Sequence, residues 1–160
     1  ITNDFASNNN WQIGAYHITG LSVGGTAIIL GAMNVSNSRI MLEPEISTTG
    51  KPALYGNGSS SYNALDTTAA MPDNTMLIGQ RIGSNRLTLK VGTTVTTNTA
   101  TTASTDIAYD FAFGARNKAG VYDNHADGRW ACKFMGEGMT DGEVDDLSTA
   151  ATALMAAMGL

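Results

Sequence analysis

Two short stretches hold side chains whose types and spacing bear on chemistry. Glu43-Pro44-Glu45 sets two carboxyls at i and i+2, the alternation that points both to one face of a strand. Glycoside hydrolysis needs an acid and a second carboxylate flanking the scissile bond, about 5–5.5 Å apart when configuration is retained. Pro44 lies inside this pair and no third carboxyl continues the alternation, so exposed charges at a strand edge are the simpler reading. The second stretch, Tyr122-Asp123-Asn124-His125-Ala126-Asp127-Gly128, joins an aromatic ring to the side-chain oxygens of Asp123, Asn124 and Asp127. A sugar site combines such a ring with Asn, Asp and backbone groups on rim loops. Tyr62, next to Ser59-Ser60-Ser61, offers a further ring. Those oxygens are also the hard donors a divalent cation prefers, although Asx and Gly residues equally build ordinary turns.

Other chemistries lack their parts. His17 and His125 are the only histidines and Cys132 the only cysteine, too few to assemble a zinc site from these types. A single cysteine excludes an intrachain disulfide. Alternating with Trp130 and Phe134, Cys132 reads as a small hydrophobe on a strand face. No G-x-S-x-G elbow and no phosphate-cradling glycine loop stands at a strand–helix junction.

The chain around these groups is poor in charge. Charged residues make up 14%, against the usual ~25%, and Thr, Ser, Asn and Gly replace them. Such a mixture suits short strands joined by turns, on an extracellular or virion surface. Hydrophobic residues reach 42%, and runs such as Ala27-Ile28-Ile29-Leu30 argue against a solvated disordered tail. Of the net charge of −5, all is placed from Glu137 onward, where Glu137, Asp141, Glu143, Asp145 and Asp146 meet no Lys or Arg. The rest is neutral, which gives no electrostatic footprint for nucleic acid or an anionic membrane. No apolar run approaches the ~18 residues of a membrane span. The length suits a single domain over residues 1–160, and Ile1 in place of an initiator Met suggests a portion of something longer.

The elements that must position these residues are mostly strands. Trp11, Ile13, Ala15 and His17 share one face at period two, and Gln12, Gly14, Tyr16 and Ile18 the other. Residues 26–30 form a continuous apolar strand, and 39–43 another that sits at an edge or ends at Pro44. Tyr55-Gly56-Asn57-Gly58 signals a tight turn. The clearest hairpin runs from Thr75 through Ile82-Gly83-Ser84-Asn85 to Val91, with Leu87, Leu89 and Val91 inward. The Thr-rich run after Gly92 reads as an exposed strand and then a loop. Gly31, Gly79 and Gly114 each follow three mostly apolar residues, as at a bulge or a close backbone approach. Eight to eleven short strands with no helix before residue 140 predict an all-β, two-sheet antiparallel jelly-roll sandwich.

One α-helix is expected at the end, over about 141–158. Thr140 is its N-cap and Glu143, three residues on, completes a capping box. Asp141, Asp145 and Asp146 stand where the helix dipole favours negative charge. Val144, Leu147, Ala151, Leu154 and Met158 follow 3-4-3-4 spacing and form the packing stripe, and Gly159 is the stop.

Phe113-Gly114-Ala115-Arg116-Asn117, a loop to Arg129, a strand through Phe134 and then Gly136-Glu137-Gly138-Met139-Thr140-Asp141-Gly142-Glu143-Val144 form a linked series. It resembles the close of concanavalin A-like lectin/glucanase domains, the laminin-G-like or pentraxin-like jelly rolls carried by bacteriophage tail and virion proteins and by bacterial surface proteins. Met139 stands where that pattern usually has Leu. The match covers residues 109–160, with a weaker echo at Arg86-Leu87-Thr88-Leu89-Lys90-Val91-Gly92. With the composition, it implies a non-catalytic structural or adhesion module of a phage tail, fibre or other virion assembly. Such a module would sit on the virion or an extracellular surface, oligomeric and in contact with other assembly proteins. The alternative is a lectin-like domain binding cell-surface glycan through Tyr122, Asp123, Asn124, Asp127 and Tyr62; a glycoside hydrolase is the minor one. No cofactor is expected unless calcium, common in laminin-G and pentraxin relatives, is held by Asp123, Asn124 and Asp127. Neither nucleic acid nor a membrane is an expected partner.

Overall fold

A computed structural model describes residues 9–20, 27–33, 38–44, 50–58, 65–66, 71–100 and 109–160. In chain order the strands are β1 (Asn10–Thr19), β2 (Leu30–Met33), β3 (Arg39–Glu43), β4 (Ala53–Gly58), β5 (Leu65–Asp66), β6 (Thr75–Ile82), β7 (Arg86–Val91), β8 (Thr94–Asn98), β9 (Ala112–Phe113), β10 (Arg116–Lys118), β11 (Val121–Asp123) and β12 (Arg129–Gly136), followed by helix α1 (Asp141–Ala157). They form an all-β sandwich. One sheet has five antiparallel strands in the order β12-β1-β6-β7-β8; the other has seven, β11-β10-β2-β3-β4-β5 with β9 on β2. The β10–β2 pair is parallel, and the remaining ladders are antiparallel.

Alternation decides what lies between the sheets. Trp11, Ile13 and Ala15 of β1, Leu77 of β6 and Leu87, Leu89 and Val91 of β7 meet Leu30, Ala32, Ile40, Leu42 and Leu54 of the facing sheet. Each large aliphatic side chain fully buried there contributes roughly 1.5–3 kcal/mol, so this interior dominates the stability. Arg81 is also inside, fully buried. Its guanidinium crosses from β6 to the Gly56 carbonyl of β4 (2.6 Å) and reaches Asn9 Oδ1 (3.1 Å) and the Ser84 carbonyl. Burial pushes its pKa down; three acceptors replace the water it has lost.

The outer face of the five-stranded sheet carries α1. Tyr16, Met76 and Ile78 pack against Val144 and Met155, with Leu147, Ala151 and Leu160 alongside. The capping box at Thr140 and Glu143 is formed. The packing face differs from the expected stripe: Val144, Ser148 and Met155 are buried, while Leu154 and Met158 are exposed. A 3.6-residue period places 148 and 155 with 144 and turns 154 aside. The acids of the first turns also have partners. Asp141 accepts from Arg86 at 2.8 and 2.6 Å, and Asp145 pairs with Lys90. Both bases stand on the outer face of β7.

Several local expectations change. The strand at 26–30 lies further along, at Leu30–Met33; before it, Ile28 bridges to His125 and a bend falls at Ile29. Of the two expectations for β3 the second holds: it ends at Pro44, and it sits inside its sheet, between β2 and β4. Tyr55-Gly56-Asn57-Gly58 is strand and not turn. Gly56 is there for space: a Cβ would come within 2.3 Å of Leu87 Cδ2. Gly79 likewise faces Leu54 at 2.4 Å, whereas Gly114 has φ +82, a turn conformation. Twelve strands, one above the expected range, occur among the described residues. Trp130 does not share a face with Cys132 and Phe134. The ladder shifts between Tyr16–Cys132 and His17–Trp130, and this bulge turns Trp130 to the main core while Cys132 and Phe134 lie under the helix.

Candidate functional site

The outer face of the seven-stranded sheet gathers the polar groups that packing does not explain. Register sets Asp123, Arg116, Gly31, Met41 and Tyr55 in one rung across five strands. Arg39 and Glu43 flank Met41 at two-residue spacing on β3, so they share its face. Glu43 is only 3% exposed, and burial raises its carboxyl to about 7. The Arg39 and Arg116 charges and a hydrogen bond from Tyr55 hold it back from rising further. The Arg39 guanidinium stands over the Tyr55 ring, 4.2 Å from its centroid. Arg116 grips Asp123 through two bonds, Nε–H to Oδ1 at 2.7 Å and Nη2–H to Oδ2 at 2.6 Å. It also lies 3.7 Å from Met33 Sδ. That bidentate pairing holds Asp123 below the usual carboxylate range and raises Arg116.

The hairpin β10–β11 continues this sheet to its margin. Asn117, opposite Tyr122, turns inward, donates to the Asp110 carbonyl (2.9 Å) and accepts from Gly120 N–H (2.8 Å). Those bonds fix the two-residue turn at Ala119 and Gly120, both at positive φ. The hairpin therefore presents Val121 at 65% exposure and Tyr122 at 58%.

No family model and no curated protein sequence matches the chain. Its chemistry must be read from the geometry.

The predicted residues divide accordingly. Tyr122 and Asp123 are adjacent on β11 but alternate, with Asp123 engaged by Arg116 and Tyr122 in solvent. Asn124 adopts φ 51 and its carbonyl accepts from Ile28 N–H at 3.1 Å. The Asp127 carbonyl accepts the Trp130 indole N–H at 2.8 Å. The segment thus works as a turn fastened to the sandwich. A cation taking Asp123 would have to displace a bidentate guanidinium, and no group of three His, Cys, Asp or Glu side chains gathers among the described residues. Tyr62 and Glu45 lie outside the described residues. His17 is a core residue: its Nδ1–H donates to the Pro72 carbonyl at 3.1 Å, and its ring lies 4.9 Å from that of Trp130.

Sequence reasoning set Glu43 aside as an exposed edge charge; it is a buried carboxyl at the centre of a charged cluster. The signal was present in Arg39-x-Met41-x-Glu43, whose alternation puts two charges on one face of a strand. What the alternation does not carry is the neighbour two strands away, Arg116. No helix among the described residues is long and apolar enough to cross a membrane.

Proposed function

We propose that this chain is a non-catalytic structural or adhesion module, of the kind built into phage tails, fibres and other virion or extracellular assemblies. One observation carries the non-catalytic part. Glu43, the buried carboxyl raised to about 7, faces two arginines and a tyrosine, and the carboxyl nearest to it in that cluster, Asp123, is closed in a bidentate pair with Arg116. Among the described residues, no two carboxyls on that face are both free to serve as the acid–nucleophile pair of glycoside hydrolysis. Asp123, Asp141 and Asp145 are likewise closed in pairs with Arg116, Arg86 and Lys90. Structural ties absorb the charge, and contact is left to apolar groups such as Val121 and Tyr122 on the fixed β10–β11 hairpin. The resemblance of residues 109–160 to concanavalin A-like domains of virion proteins supports the setting, as does the neutral, Thr/Ser/Asn-rich composition.

A density map of the intact particle tests this. The expected result is the sandwich seated in the assembly with the β10–β11 hairpin against a neighbouring chain. A particle without the domain, or β-glucan turnover by the purified domain that Glu43→Gln abolishes, overturns it. The lectin-like reading is kept for one observation: the Tyr122 ring is exposed on a hairpin whose turn is fixed. Glycan-array binding lost in Tyr122→Ser would favour it.

A further inference from the structure

A different surface has the makings of a ligand site. Strand β12 is at the margin of the five-stranded sheet, paired only with β1 among the described residues. Beside it a cleft of about 370 Å³ is lined by Phe113, Trp130, Ala131, Cys132 and Lys133. Phe113, from β9 of the other sheet, is 44% exposed, and Trp130 is half-buried. The cleft is thus the side opening between the two sheets, walled by an aromatic ring from each.

Lys133 supplies the charge. It lies opposite Ala15, whose side chain faces the core, so its stem runs along the inner face. Its ammonium rests against Gly114, where an added Cβ would stand 3.1 Å from Nζ. Burial lowers its pKa, with no charged group in support. Among the described residues it has no carboxylate partner, unlike Arg86, Lys90 and Arg116. A half-buried ammonium without a counter-charge is a standing cost that an incoming anion relieves.

We propose that this cleft binds a carboxylate-bearing saccharide, with Lys133 on the carboxylate and Phe113 and Trp130 against the ring. The backbone selects the shape. The bulge between Cys132 and Trp130 breaks the regular edge a peptide strand needs for pairing, while leaving polar backbone groups for the hydroxyls of a compact ligand. The Trp130 indole N–H is already held by the Asp127 carbonyl, so the ring acts as a surface and not as a donor. This site is separate from the β10–β11 hairpin, and the inference stands whether or not the domain belongs to a virion.

Glucuronic acid and glucose, which differ by the carboxylate, are the probes, and tryptophan fluorescence is the readout. Trp11 is fully buried, so a ligand-dependent change reports Trp130. Glucuronic acid is expected to bind at least tenfold tighter than glucose, with a preference that fades in high salt. Lys133→Gln is expected to abolish that preference, and Phe113→Ala to weaken both sugars. Lys118→Gln, on β10, should change neither. Equal binding of the two sugars, no binding of either, or an unchanged preference in Lys133→Gln overturns the proposal. So does a tripeptide that binds through its C-terminal carboxylate where the sugars fail. If Lys133→Gln only raises the mass in solution, the lysine guards a strand edge and the site does not exist.

Discussion

Replacing Glu43 by Gln should make the protein more stable at neutral pH. A rise from 4.5 to about 7, at ~1.4 kcal/mol for each pH unit, makes ionising this carboxyl inside the fold cost about 3 kcal/mol. The sign follows from proton binding. Between pH 4.5 and 7 the folded state holds the Glu43 proton more tightly than the unfolded chain, so stability from this group is full below 4.5 and is lost as pH rises through 7. Gln is neutral throughout and escapes the loss. Urea denaturation of both proteins from pH 4 to 8.5 measures the difference directly. The variant should match the parent to within ~1 kcal/mol near pH 4.5 and exceed it by about 2–3 kcal/mol at pH 8. For a chain of this size that is a rise of roughly 5–10 °C in Tm. Other groups titrate in both proteins and cancel. A difference that does not change with pH, or a parent that gains on the variant as pH rises, would refute the account of Glu43 as a carboxyl buried beyond what Arg39, Arg116 and Tyr55 repay.

Two further substitutions test the packing. Gly56→Ala drives a methyl into Leu87 and should cost ~1–3 kcal/mol; combined with Leu87→Ala, itself costing ~2–5 kcal/mol, the losses should fall short of additivity by more than ~1 kcal/mol, as read from denaturant midpoints. Asp145→Ala strands Lys90, 7% exposed, and should cost ~1–3 kcal/mol that salt barely alters. Asp141→Ala frees a better-solvated Arg86 and should cost ~1 kcal/mol or less, with the loss shrinking as salt is added.

The parts of the fold that were legible in the sequence are those in which one segment states its own environment. Trp11 through Ile18 alternate without interruption, and their faces are as read. Thr140 and Glu143 are three residues apart, and the capping box is local. The misreadings arise where the deciding partner is distant in the chain. Gly56 looks like a turn glycine until Leu87 is seen above it. Trp130 leaves the face of Cys132 because of a bulge set by its pairing with β1. Glu43 looks exposed unless the two arginines, one of them on β10, are known to share its face. Within the sequence the helix dipole alone accounts for Asp141 and Asp145. Yet Arg86 and Lys90 stand four apart on a strand, as the two acids do on the helix, and that match was readable. The site suffers most from this, because its charge partners come from different strands.

The pairing of β1 with β12 has a consequence for how the chain reaches its native state. Trp11, Ile13 and Ala15 belong to a strand whose two ladders run to β6 and, opposite Gln12, to Gly136. Neither partner is its neighbour in sequence, and the second leaves the ribosome after all the other described strands. Until then an apolar strand must wait with one edge unpaired, the state from which β proteins misassemble. Closure of so long a loop also makes folding slow. The hairpin of β6 and β7 is local and can form first. A truncation that stops before Arg129 would therefore not yield a smaller sandwich; it would leave β1 at the margin of its sheet, with one of its two ladders missing.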